Sequence, residues 1–436
     1  MPALADAVRP AHSRVRTRVL GFAFFLTVIT YLDRVCISTA APFIMDELRL
    51  TPPEMGLVFS AFTLAYSLFE MPSGRMGDVS GPRRVLTRIV LWWSGFTMLT
   101  AAATSRATLM AIRFLFGAGE AGAFPNMARA LSEWFPSRER GRANSVMFFG
   151  SRVGGMLSAP IAFFLIRSVG WRASFIGFGC FGIVWAAAWH TWFRDRPSED
   201  PGVSVEELAA IEKGRGPRQP APDVPWLAFA TNRNLQTICA MYFTYAYGLY
   251  FYFSWLPTYL TTNLHLSTTS GWVFSGLPFF FAGLANLAGG WLTDALAERR
   301  GLYVARCWLG CAGFLTAAGF VLAAAIVPQP IAKALLLALA LGAVDLSLGA
   351  CWAVCLDVGA EHAGVVTGAM NTFGNIGGVL TPIVAGVIVG RTGSWSLVLY
   401  VTAALYAFGG LAWLAIDPTA TLTPESTIRS TPRTQN

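Results

Sequence analysis

Residues 18–44 read RVLGFAFFLTVITYLDRVCISTAAPFI. A run of this kind crosses a bilayer core, which takes about 20 predominantly apolar residues. Beyond Arg18 at its start, its two charges, Asp33 and Arg34, lie well inside it rather than at an end. A secretory leader would stop after a short apolar core and a small-residue cleavage site, whereas this stretch continues through the charged pair. Eleven further apolar runs follow, near 55–73, 85–104, 107–128, 144–167, 173–193, 234–260, 271–292, 303–327, 332–356, 364–390 and 394–416. The whole chain agrees. Of its 436 residues 54% are hydrophobic and 13% charged, against about 25% charged in a soluble protein. The expected fold is an all-α membrane protein of twelve transmembrane helices.

A net charge of +8 first suggests a nucleic-acid binder. The charges, however, fall in short connections between apolar runs, so no basic face is left to follow a phosphate backbone. They also orient the chain. Arg9, Arg14, Arg16 and Arg18 precede span one; Arg75, Arg83 and Arg84 follow span two; Arg138, Arg140 and Arg142 follow span four. The alternate connections hold almost nothing, which places both termini and the middle loop in the cytoplasm by the positive-inside rule. That loop divides the chain. Expected boundaries are a tail at 1–17, a six-helix half at 18–193, a charged linker at 194–233, a second half at 234–417 and a tail at 418–436. Gly74-x-x-x-Asp78 after span two and Gly290-x-x-x-Asp294 after span eight form a weak internal repeat. Such symmetry is expected of carriers that rock two halves about a central site.

Seven ionisable residues lie inside the runs: Asp33, Arg34, Glu70, Arg113, Glu120, Arg152 and Asp345. Each costs about 2.5–3.5 kcal/mol at the midplane on insertion scales, so each needs a cavity or a partner. Arg113 and Glu120, seven apart, share a helix face about 10 Å apart along the axis. Their reading is a structural ion pair or part of a working network, with Arg113 orienting Glu120. Glu70, near the loop after span two, reads as holding that loop. Arg152 pairs with Glu120 or lines the cavity, and Asp345 is an open choice between a helix–helix bond and a functional acid. Asn371 and Asn375 form a polar stripe on span eleven. A guanidinium is always charged and offers a planar fork to a carboxylate, so Arg34 is the candidate grip for an anion. A buried acid that loses its cation to that anion binds a proton, so the two enter together. Asp33 and Glu120 are the candidate proton carriers.

Catalysis and metal binding find no support. The histidines, 12, 190, 265 and 362, are scattered, and the cysteines at 36, 180, 239, 307, 311, 351 and 355 have no CxxC spacing. Cys351 and Cys355 share one helix face without a histidine or aspartate beside them on it, which reads as packing. No enzyme, cofactor or metal is expected, and a receptor would carry a soluble domain.

Several motifs together resemble the major facilitator superfamily and, within it, the anion:cation symporter family, from about Arg18 to Pro418. They are Gly74-Arg75-Met76-Gly77-Asp78 continuing to Arg83-Arg84, Tyr31-Leu32-Asp33-Arg34, Arg113-Phe114-x-x-Gly117-x-x-Glu120, Gly170-Trp171-Arg172, Trp255-Leu256-Pro257 and Asn371-x-x-x-Asn375. The resemblance implies two pseudo-symmetric six-helix bundles and a carrier importing a small organic anion, a sugar acid or other carboxylate, with protons. It implies Arg34, Tyr31, Tyr66, Ser151, Trp352 and Asn371 around the substrate, and Asp33 and Glu120 as proton sites. Arg113, Arg152 and Asp345 then form the ion-pair network, and Gly74, Asp78 and Arg83 a cytoplasmic gate. Val79 stands where the superfamily loop usually has arginine, and Ser151 where several sugar-acid carriers have glutamine or asparagine. The expected setting is a bacterial inner membrane and the expected state a monomer. An exchanger or uniporter that moves no proton is the alternative within transport.

Overall fold

The computed structural model describes residues 14–213, 229 and 231–421. Among them the regular structure is helical throughout. In hydrocarbon every backbone N–H and C=O must be satisfied within its own segment, which a helix does. Spans one to three are Arg14–Leu48, Pro52–Ser80 and Pro82–Leu99. Span four is Arg106–Glu120 followed by Ala123–Trp134. Spans five and six, 137–169 and 171–192, run on through Gly170 (φ 80°, ψ 162°). Span seven is Arg233–Ser254 with a short continuation to Asn263, and span eight Thr268–Arg300. Span nine is Leu309–Ile326 after a π turn at Val304–Trp308, and span ten is Pro330–Asp345 followed by Leu348–Gly359. Ala363–Thr392 and Trp395–Leu414 complete the set.

Local chemistry sets the ends. Glu54 reaches back to accept the Thr51 backbone N–H at 2.9 Å, ahead of Pro52 at the first helical position. Asn232 and Ser394 cap spans seven and twelve by accepting the N–H of Leu235 and Leu397. At Gly170 the positive φ suits a residue without Cβ. The turn is then fastened to the end of span one. Trp171 Nε1 donates to Glu47 at 2.6 Å, and the Arg172 guanidinium meets the same carboxylate at 2.9 Å.

Span seven breaks at Trp255 before its short continuation, and two further spans depart from the uninterrupted runs read in the sequence. Span four breaks at Ala121–Gly122 and span ten at Leu346–Ser347. Pro125, with no N–H to give, cannot bond the Ala121 carbonyl. In span ten, Gly289 of span eight lies so close to Leu346 that a Cβ there would sit 2.0 Å from its carbonyl oxygen. Both breaks directly follow a buried acid, Glu120 in one half and Asp345 in the other.

The fold is that of two six-helix bundles. In the first, span one packs on five, two on four and three on six; in the second, seven on eleven, eight on ten and nine on twelve. The bundles meet chiefly where span two packs on eleven and span five on eight. At the end remote from the termini that seam is shut by backbone contact. A Cβ on Gly56 would lie 2.3 Å from the Pro382 carbonyl oxygen, and Ser60 Oγ donates to Val379 O at 2.7 Å across the same seam. Gly56→Val should therefore force this end open. Labelling of a Ser60→Cys reporter by an impermeant maleimide, applied from that face, is expected to speed up about tenfold, the change in open population that 1.4 kcal/mol supplies. An unchanged labelling rate would show that the Gly56 contact does not hold the seam.

Candidate functional site

A cavity of 570 Å³ lies between the two bundles and extends from Tyr31 and Arg34 toward the termini, where Ser145 and Gly290 line it. Arg34 projects into it from span one. Its Nε donates to Glu120 Oε1, while its Nη2 is buried without a hydrogen-bond partner. Aromatic rings surround the guanidinium: Tyr66 at 4.6 Å, Tyr31 and Phe62 at 5.3 Å and Phe124 at 5.7 Å. Such a box holds a cation by its ring faces, and the Tyr66 and Tyr31 hydroxyls add to the favourable field on it. Glu120 is fully sealed, and its Oε2 has no partner.

Asp33 does not line the cavity. It lies in the interior of the first bundle, both oxygens buried without a hydrogen-bond partner, with Glu120 and Arg113 acting on it electrostatically. Arg113 is buried with its guanidinium over Phe116 at 4.5 Å and Phe62 at 5.0 Å. Of the two readings of Arg113 and Glu120, the direct ion pair gives way to one from span one, Arg34–Glu120, while Arg113 still acts on Glu120 electrostatically.

A second cluster sits at the seam. Arg152 Nη2 of span five meets Asp345 Oδ2 of span ten at 2.7 Å, and Tyr245 Oη donates to Asp345 Oδ1 at 2.7 Å. Arg152 therefore pairs with Asp345 and not with Glu120, and it also lines the cavity. Glu70 corrects a second reading. Rather than holding the loop after span two, it faces the other bundle and accepts from Asn371 Nδ2 at 3.0 Å and Asn375 Nδ2 at 3.4 Å.

Tyr31, Tyr66, Ser151, Trp352 and Asn371 all line the cavity. Ser151 Oγ is committed to its own helix, donating to Phe148 O at 2.6 Å. Trp352, 38% exposed, stands edge-on to Tyr242. Sequence reasoning missed Tyr242 and Tyr245, whose i,i+3 spacing on span seven was the available signal, and it missed Glu70 as a wall of the site.

The expected gate residues contact their own bundle. Gly74 lies against Pro125, Arg83 Nε donates to His190 O at 2.8 Å, and the Arg83 backbone N–H donates to Asp195 Oδ1 at 2.8 Å. The side chain of Asp78 lies outside the described residues. Cys351 and Cys355 are buried in the second bundle, with Cys355 Sγ donating to Met370 Sδ at 3.3 Å.

A family model described as Major Facilitator Superfamily matches residues 23–382. The chain is 33% identical over 417 residues to the protein named "Probable sulfoacetate transporter SauU" of Cupriavidus necator, covering 94% of this chain and 96% of that one. It is 30% identical over 404 residues to the hexuronate transporter of Bacillus subtilis, covering 92% and 94%. In three dimensions it matches a bacterial homologue of the human lysosomal transporter Spinster with a TM-score of 0.71, at 19% identity over 92% of this chain and 94% of that one. The D-xylose–proton symporter matches with a TM-score of 0.74 at 13% identity, covering 93% and 98%.

Proposed function

We propose that this chain, which belongs to the major facilitator superfamily, imports a small organic anion together with protons by alternating access. It is a membrane carrier and not an enzyme. One observation carries the anion reading: a boxed guanidinium on the cavity wall has one nitrogen unpaired and its ion-pair partner, Glu120, sealed from solvent. The names of the relatives, a sulfoacetate and a hexuronate carrier, support an anionic cargo.

An acidic oxygen entering the cavity meets the exposed part of the Arg34 side chain and competes with Glu120 for the guanidinium fork. Tyr31, Tyr66 and Trp352 give the cargo flat apolar walls, and Asn371, Ser151 and Glu70 give polar ones. A carboxylate deprived of its cation in a dry site binds a proton rather than remain charged. Glu120 is that acid. Asp33, out of the cargo's reach but within the same electrostatic neighbourhood, is the second proton site, and Arg113 holds positive charge between the two. Loading thus delivers anion and proton as one neutralised set, and the bundles then rock about it. The contacts of Gly74 and Arg83 stiffen the cytoplasmic edge of the first bundle, where Asp78 completes the gate.

The same reading assigns the bundles to 18–193 and 234–417, the linker to 194–233 and the tails to 1–17 and 418–436. It puts both termini in the cytoplasm of a bacterial inner membrane, with the carrier working as a monomer. The seam is shut at the far end while the cavity reaches toward the termini, which is the cytoplasm-facing stage of such a cycle.

Proteoliposomes test the proposal. Uptake of a small carboxylate or sulfonate is expected to speed up when the supply side is made acidic, and its equilibrium accumulation to rise about tenfold per unit of pH difference for one proton. A protonophore should remove that gain. Uptake that ignores the gradient but is driven by preloaded anion would establish the exchanger instead.

A further inference from the structure

We propose that Arg152 and Asp345 form a second anion subsite, so that the cargo is a dianion held at one acidic end by Arg34 and at the other by Arg152. This rests on the anion-carrier reading and narrows its substrate class.

The two arginine–acid pairs are built alike. Glu120 closes the first segment of span four, and Asp345 closes the first segment of span ten, the equivalent span of the other bundle. Each acid receives an arginine from a different span. In both pairs the acid is fully sealed and the cation is the member that shows, at 11% exposure for Arg34 and 12% for Arg152. Both guanidinium groups line the one cavity, and Tyr31 lies within electrostatic reach of both.

A purely structural role explains Arg152 poorly. A buried ion pair contributes little net stability over an apolar pair of similar volume. Here it also joins span five of one bundle to span ten of the other, so a permanent bond would fasten together two bodies that must move past each other. A bond that cargo can replace avoids the conflict. When the second acidic group takes Arg152, Asp345 keeps the Tyr245 hydroxyl on Oδ1 and is neutralised by a proton taken up from bulk solvent with the cargo. The bond across the seam is then open. A monoanion would leave it in place.

Matched ligands test this on the purified full-length carrier, with binding followed by intrinsic tryptophan fluorescence. The pairs are succinate with succinamate, glucarate with its monoamide, and sulfoacetate with sulfoacetamide, each differing by one negative charge at one end. At least one dianion is expected to bind about tenfold or more tightly than its amide, the discrimination a desolvated charge pair supplies. The variant carrying both Arg152→Gln and Asp345→Asn removes both charges and strands neither. It should lose that preference, each dianion and its amide then binding with the same affinity. Asp345→Asn alone, which frees Arg152 from its internal competitor, should bind the dianion more tightly than the unaltered carrier. Equal affinities within every pair, or a preference that survives the double variant, would overturn the second subsite and leave the anion carrier standing. If no member of any pair binds, the anion reading itself falls, and this inference with it.

Discussion

Arg34→Ala abolishes uptake, lowering the initial rate about a hundredfold or more. Truncating one partner of a buried charge pair costs about 2–5 kcal/mol, and about 2.7 kcal/mol already makes a hundredfold. The substitution also leaves Glu120 sealed without its cation, which destabilises a protein by about 3–5 kcal/mol unless the acid takes a proton. Loss of uptake in that variant therefore mixes a missing grip with a weakened fold. Combining Arg34→Gln with Glu120→Gln separates them. Both charges leave together, so thermal stability and membrane insertion should return toward the original values while uptake stays absent. Arg34→Lys keeps the charge but offers a point instead of a fork and should retain a small fraction of the rate. Uptake near the original level in the double variant would remove Arg34 from the binding site.

Glu120→Gln separates coupling from translocation. Glutamine keeps the shape and can still accept from Arg34 Nε, but it holds no exchangeable proton. The loaded, protonated stage is thereby mimicked. Counterflow, in which labelled and unlabelled anion swap across the membrane without proton release, is expected to persist within a few-fold. Net uptake driven by a pH gradient is expected to fall by about a hundredfold, because the empty carrier can no longer discharge its proton and return. Equal loss in both modes would make the Arg34–Glu120 pair structural. Undiminished gradient-driven uptake would dismiss Glu120 from the cycle.

The membrane fold was legible because burial in hydrocarbon leaves long apolar runs that no soluble fold requires. The charged set was legible for the converse reason: each member is costly in a bilayer and so stands out. What could not be read was who meets whom. Spacing along a helix says that Arg113 and Glu120 share a face, yet it is silent on span one reaching over to take the acid. Arg152 found Asp345, which lies far along the chain in the other half, through a packing of span five on eight that leaves no local trace. Glu70 was misread from its nearness to the loop glycines, since depth in the sequence suggested the interface while helix rotation turned it to Asn371 and Asn375. The break in span four had a visible cause in Pro125. That in span ten comes from the close approach of Gly289 and is tertiary.

The helix Val205–Lys213 belongs to the region that separates the halves in sequence, yet Arg16 of span one is buried between Glu207 of this helix and Glu139 of span five. Ile211 is buried too, and Asp195 and the Arg194 carbonyl are already bound to the first bundle. The linker as far as Lys213 is therefore carried on the first bundle. A gene cut at Arg194 to express the halves as separate chains would hand this helix to the wrong fragment and expose the arginine it covers. A cut after Lys213 would keep this helix in the fragment whose arginine it covers.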